Sequence, residues 1–140
     1  MILFVDDERR HSDSYIRELN KKYQVIFHKD VDRAWQCFEK DTDEIELLIL
    51  DIMMPPGDTF RKVDTDEGRR TGISFYEKIR KRTPRLPVIV LTNVADEEVE
   101  HRFRVEENCW YFQKEHYLPY ELLKEVEQIL NPTEINMEVH

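Results

Sequence analysis

The sequence is short of the features that mark membrane, secreted or nucleic-acid-binding chains. Cysteine occurs only at Cys37 and Cys109, with no Cys-x-x-Cys or Cys/His spacing, so neither a disulfide framework nor a zinc centre is expected and both are read as reduced core thiols. The five histidines show no ligand spacing either, and none is assigned to a metal. No apolar run approaches the ~20 residues of a membrane span, and no signal peptide is expected ahead of a first strand that starts at Met1. Basic residues are outnumbered: 21 Lys and Arg face 30 Asp and Glu, leaving a net charge of -9. Such a domain is repelled by phosphate backbones, which argues against direct nucleic-acid binding. No helix-turn-helix, zinc pattern or basic region follows residue 130. A cytoplasmic protein is the expectation.

What is present fits one domain with a real core: 140 residues, 40% hydrophobic and 36% charged. Strand and helix signals alternate five times. Met1–Val5 is an unbroken apolar run, followed by a helix over about 9–22 with Tyr15, Ile16 and Leu19 on one face. Tyr23–Phe27 reads as a second strand, and Asp30 as the N-cap of a helix carrying Ala34, Trp35 and Phe38. Glu46–Asp51 is the third strand; its helix holds Ile73, Tyr76 and Ile79 and must stop before Pro84. The basic run Arg80-Lys81-Arg82 at its end complements the helix dipole. Pro87–Thr92 is the fourth strand, Ala95–Glu107 a charged helix, and Trp110–Lys114 the fifth strand. The last helix, about 118–130, carries Leu118, Leu122, Leu123, Val126, Ile129 and Leu130 as one stripe. Trp35, Trp110 and Phe112 are read as packing residues.

Repeated strand–helix units imply an α/β doubly wound fold, a parallel sheet with helices on both faces. The domain covers 1–130, with a long polar insert at 56–71 and a C-terminal tail at 131–140 that looks poorly ordered. The insert lies next to Asp51 and reads as a mobile surface loop, with a lid or a partner-selecting segment as the sharper reading.

Strands one and three end in carboxylates. Asp6, Asp7 and Glu8 follow Val5, and Asp51 follows Leu47-Leu48-Ile49-Leu50 before Pro55 stops the element. In doubly wound sheets ligands bind outside the carboxyl ends of the strands. The polar residues at those ends are Asp6, Asp7, Asp51, Thr92 and Lys114. Carboxylates brought that close repel unless a cation or shared proton offsets them, and the natural cation for an all-oxygen site is Mg²⁺.

The combination Val-Asp-Asp-Glu, Leu-Asp-Ile-Met-Met-Pro, Val-Leu-Thr and a lysine ending strand five resembles the response-regulator receiver domains of two-component signalling, over nearly the whole chain. The resemblance implies a flavodoxin-like (βα)5 three-layer sandwich with strand order 2-1-3-4-5. It implies that Asp51 is the phosphoacceptor for a phosphohistidine donor. Asp6, Asp7, Asp51 and the backbone carbonyl of Met53 would hold Mg²⁺, and Lys114 and Thr92 would contact the phosphoryl oxygens. Tyr111, three residues before the lysine, would be the aromatic that moves inward on phosphorylation. The implied partners are a sensor histidine kinase or histidine phosphotransfer protein, and a downstream target or second copy docking on 95–130. Such a domain is no turnover enzyme, although it catalyses its own phosphorylation and dephosphorylation.

Three departures accompany the resemblance. Glu115 follows Lys114 where the family usually has proline, leaving the reach of the lysine open. Asn93 follows Thr92 where a very small residue is usual, and its side chain could crowd the phosphoryl pocket. The glycine expected soon after the Met-Pro turn is displaced to Gly72 by the insert. Two alternatives stand beside the phosphoacceptor: a pseudo-receiver that binds proteins without being phosphorylated, and a hydrolase of the haloacid-dehalogenase type. The hydrolase needs an aspartate two residues after the nucleophile, where Met53 stands.

Overall fold

Five short strands of nearly pure aliphatic and aromatic sequence build the centre of the molecule. The computed structural model describes residues 1–60 and 68–132. Strands β1 (Ile2–Val5), β3 (Leu47–Leu50) and β4 (Val88–Thr92) are buried at every position, whereas β2 (Val25–His28) and β5 (Cys109–Gln113) carry half-buried residues. That contrast is the signature of central against edge strands. All neighbours pair in parallel, in the order β2-β1-β3-β4-β5.

Successive strand residues face opposite sides, and each side has its own core. Leu3, Val5, Leu48 and Leu50 pack under α2 (Val31–Asp41), α3 (Thr71–Arg82) and α4 (Glu97–Arg104). Ile2, Phe4, Leu47 and Ile49 pack under α1 (Arg9–Leu19) and α5 (Pro119–Leu130). Helix, sheet and helix thus form three layers. Each fully buried aliphatic side chain contributes roughly 1.5–3 kcal/mol of transfer free energy, so the four-residue β1 and β3 are held by burial rather than by length.

Element ends differ from the sequence expectation in ways with local causes. Helix α1 stops at Leu19 rather than 22, because Asn20–Lys22 turn and the Tyr23 amide bonds back to the Leu19 carbonyl. The next strand consequently begins at Val25 rather than Tyr23. Asp30 caps α2 as expected, its carboxylate accepting from the Arg33 amide at 2.8 Å. Asp96 caps α4 through the Glu98 and Val99 amides, so that helix starts at Glu97, later than expected, and it ends at Arg104. Leu118 is not in the buried stripe of α5: it is the N-cap, 68% exposed, and Pro119 opens the helix at its first position.

Of the polar insert, 61–67 fall outside the described residues, as do 133–140 of the tail. The start of the insert is anchored. The Asp32 carboxylate on α2 accepts from the Asp58 amide at 2.9 Å, the Thr59 amide at 2.7 Å and the Thr59 hydroxyl. Phe60 then packs edge-on against Phe75 at 6.2 Å. Thr71, the last residue of the expected insert, is buried and already begins α3.

Candidate functional site

The sheet register determines which residues meet beyond its carboxyl edge. Val5 pairs with Leu50, so the next residues, Asp6 and Asp51, emerge side by side, and the Asp51 amide bonds the Val5 carbonyl at 3.0 Å. Thr92 is the last residue of β4 and pairs with Gln113, so Lys114 follows one step beyond. It stands in a short 3-10 turn, Lys114–His116, rather than inside the strand where sequence reading put it.

Asp6, Asp7 and Asp51 each offer a carboxylate oxygen within 4.8 Å of the others. Asp6 is 1% exposed and Asp51 8%. The Lys114 ammonium, itself buried, lies 2.7 Å from Asp6 Oδ2 and 3.4 Å from Asp51 Oδ2. Asp51 Oδ1 accepts the Ile52 amide at 2.7 Å. The Thr92 hydroxyl also favours the ionised Asp51 carboxylate, and its oxygen accepts the Val94 amide at 3.1 Å.

Electrostatics follow from this crowding. Burial, then repulsion from Asp6, pushes the Asp51 carboxyl up to about 6, against the opposing pull of Lys114, Thr92 and Ile52. Burial and the neighbouring Asp6 and Glu8 charges raise Asp7 above the usual carboxylate range. Burial opposes the charge on Lys114, yet Asp51 and Asp6 outweigh it and hold the amine above its ordinary value. One ammonium thus faces three carboxylates in an all-oxygen donor set, a composition that fits a hard divalent cation such as Mg²⁺. A cleft of about 340 Å³ lies over the group, lined by residues that include Asp7, Asp51, Met53, Thr92, Asn93 and Lys114. Met53 is at its rim with a half-exposed side chain.

Tyr111 is 8% exposed, stacked on Phe103 at 6.3 Å, and its hydroxyl donates to the Val94 carbonyl at 2.5 Å. It therefore grips the loop that leaves Thr92. Gly72 sits behind Asp51: its amide bonds the Ile52 carbonyl at 2.7 Å, and a Cβ there would lie 2.1 Å from the Asp51 carbonyl oxygen. Only glycine fits that approach. Sequence reasoning missed two contributors, Asp32 and the Tyr15 hydroxyl. No motif in the sequence marks Asp32, and Tyr15 is placed there only on the apolar face of its helix.

Comparison with known proteins agrees with this arrangement. A profile described as the response regulator receiver domain matches residues 2–127. No curated protein matches the sequence significantly. Among solved structures, a CheY-like receiver domain protein from Methanospirillum hungatei is 23% identical, with a TM-score of 0.73 over 96% of each chain. A receiver domain from Clostridium thermocellum is 20% identical, with a TM-score of 0.74 over 96% of each chain. The BeF3-activated receiver domain of DrrB, a Thermotoga maritima protein, is 23% identical with a TM-score of 0.69, covering 92% of this chain and 95% of that one. At such identities the structural likeness carries the fold.

Proposed function

This chain belongs to the response-regulator receiver family, and from that premise we propose that Asp51 accepts a phosphoryl group from a phosphohistidine on a sensor kinase or phosphotransfer protein. Receiver domains are signalling domains, and residues 1–130 are read here as one such unit. The observation that carries the proposal is the buried Asp51 carboxylate, facing a cleft between an ammonium, a hydroxyl and two further carboxylates.

The ionised Asp51 carboxylate attacks phosphorus; the P–O bond forms as the P–N bond to the donor imidazole breaks, and the leaving nitrogen takes up a proton. Mg²⁺ held by Asp6, Asp7, Asp51 and the Met53 carbonyl would neutralise charge on the phosphoryl oxygens. Lys114, already within 3.4 Å of Asp51, swings from the carboxylates to a phosphoryl oxygen. Thr92 donates its hydroxyl to another. Pulling Thr92 inward moves the backbone to Val94, whose carbonyl is bonded by Tyr111, so the change reaches β5 and the surface over 95–130 where a target or second copy docks. Asn93, exposed at the rim of the same cleft, restricts the approach to the phosphoryl group. Among the described residues no helix is long and apolar enough to cross a membrane, in keeping with a cytoplasmic domain.

The test is intact-mass spectrometry after incubation with acetyl phosphate and Mg²⁺, beside Asp51→Asn and a chelated control. One added phosphoryl group, absent from both controls, is the expected outcome. If neither that adduct nor a beryllofluoride complex forms while Mg²⁺ binds, the chain is a pseudo-receiver.

A further inference from the structure

Lys114 reaches the carboxylates from a backbone turn that β5 does not support, because the strand ends at Gln113. Within the turn the Tyr117 amide bonds the Lys114 carbonyl at 3.3 Å. The firmer tie comes from the other end of the sequence. The Tyr15 hydroxyl on α1 bonds the Tyr117 carbonyl at 2.7 Å and lies 3.2 Å from the Lys114 carbonyl, clipping both ends of the turn together. The Tyr15 ring is 7% exposed, and Tyr117 is stacked on Phe112 at 4.3 Å, so both sides of the clip are anchored in the core. The same helix begins directly after Asp6-Asp7-Glu8. Its first turn is joined to that loop by the Ser12 hydroxyl on the Glu8 carbonyl at 3.1 Å. One rigid element thus carries the aspartates at its head and holds the lysine's backbone two turns on.

We propose that Tyr15 is a positioning residue: its hydroxyl fixes the Lys114–Tyr117 turn so that the ammonium stands between Asp6 and Asp51, where it is needed for phosphoryl transfer. The catalytic consequence rests on the function proposed above; the placement of the lysine does not. A lysine has four rotatable side-chain bonds and an otherwise flexible stem. Holding its Cα is therefore what sets the share of time its ammonium spends in reach of the acceptor.

Tyr15→Phe removes the hydroxyl and keeps the ring. Two measurements on the full chain test the inference. The first is the maximal rate of acetyl-phosphate phosphorylation, together with Mg²⁺ affinity by calorimetry. The second is acylation of Lys114 by an amine-reactive ester in metal-free protein, read by peptide mass spectrometry, with maleimide labelling of Cys109 at the opposite end of β5 as internal reference. The expected result is a maximal rate lower by the roughly five-fold to ten-fold that one hydrogen bond is worth. Mg²⁺ affinity is unchanged, and Lys114 is acylated several-fold faster with Cys109 unaffected. Unchanged Lys114 acylation overturns the proposal whatever the rate does. So does a parallel rise at Lys114 and Cys109, which reports general loosening. If wild type forms neither a phosphoryl adduct nor a beryllofluoride complex while Tyr15→Phe still exposes Lys114 selectively, the phosphoacceptor reading fails and the positioning role stands.

Discussion

Asp51→Asn should stabilise the metal-free protein, and only at pH values where Asp51 is ionised. In the folded state the Asp51 carboxyl is pushed up to about 6 by burial and by Asp6, from an ordinary value of 3.8. A raised folded-state value means that the folded protein holds the proton more tightly than the unfolded chain. That contribution to stability is fully present below the unfolded value and is lost as pH rises through about 6. Above it, folding bears the cost of a charged, crowded carboxylate. Two pKa units correspond to about 3 kcal/mol as an upper bound. The opposing pull of Lys114, Thr92 and Ile52 is already contained in that net shift. Urea denaturation in chelator, followed by tryptophan fluorescence, should place the variant about 1–3 kcal/mol above wild type at pH 8. The gap should narrow as pH falls through about 6 and close only below the ordinary value of 3.8, with the denaturant slope unchanged. Adding Mg²⁺ should raise wild type by mass action and narrow the gap at pH 8. A variant less stable than wild type at pH 8 in chelator, or a gap that ignores pH, would refute the picture of three mutually repelling carboxylates.

Two further perturbations address the backbone around the site. Gly72→Ala places a Cβ 2.1 Å from the Asp51 carbonyl oxygen and 2.5 Å from Ile52 Cα, which only a backbone shift can relieve. A loss of roughly 3 kcal/mol is expected by thermal or urea denaturation, with phosphoryl uptake falling alongside; unchanged stability would mean that α3 and the β3 end are not packed this tightly. Asp32→Ala removes the acceptor for the Asp58 and Thr59 amides, so hydrogen exchange at residues 57–60 should speed up with little change in global stability. Those same bonds, the Asp58 amide first and then the Thr59 hydroxyl, hold the Asp32 carboxyl below its ordinary value. The clamp is therefore present above that ordinary value of 3.8 and is released as pH falls through the lower, folded one. Protection at 57–60 that is identical in the variant would sink the clamp.

The parts of the site that could be read in advance are those where a side-chain pattern and a topological rule coincide. Asp6, Asp51 and Thr92 end aliphatic runs, and parallel strands deliver their ends to one edge, so their meeting required no knowledge of contacts. Leu118 shows how the same logic misleads: it stands four residues before Leu122 and matches the stripe, but Pro119 opens the helix and leaves it outside. Periodicity sees the apolar face of a helix, not where its first amide is spent. Tyr15 is the opposite case. Its ring obeys the helical period and was placed in the core correctly, while its hydroxyl finds carbonyls 99 and 102 residues away, a pairing with no period at all. Gly72 likewise matters only because the end of β3 passes within van der Waals reach of its Cα. Three of the groups that place Asp51 and Lys114 thus act on carbonyls or through an absent side chain: the Gly72 amide, the missing Gly72 Cβ and the Tyr15 hydroxyl. A substitution at any of them leaves Asp6, Asp7, Asp51, Thr92 and Lys114 intact in sequence, so a chain can keep the whole set of site residues and lose the geometry that brings them together.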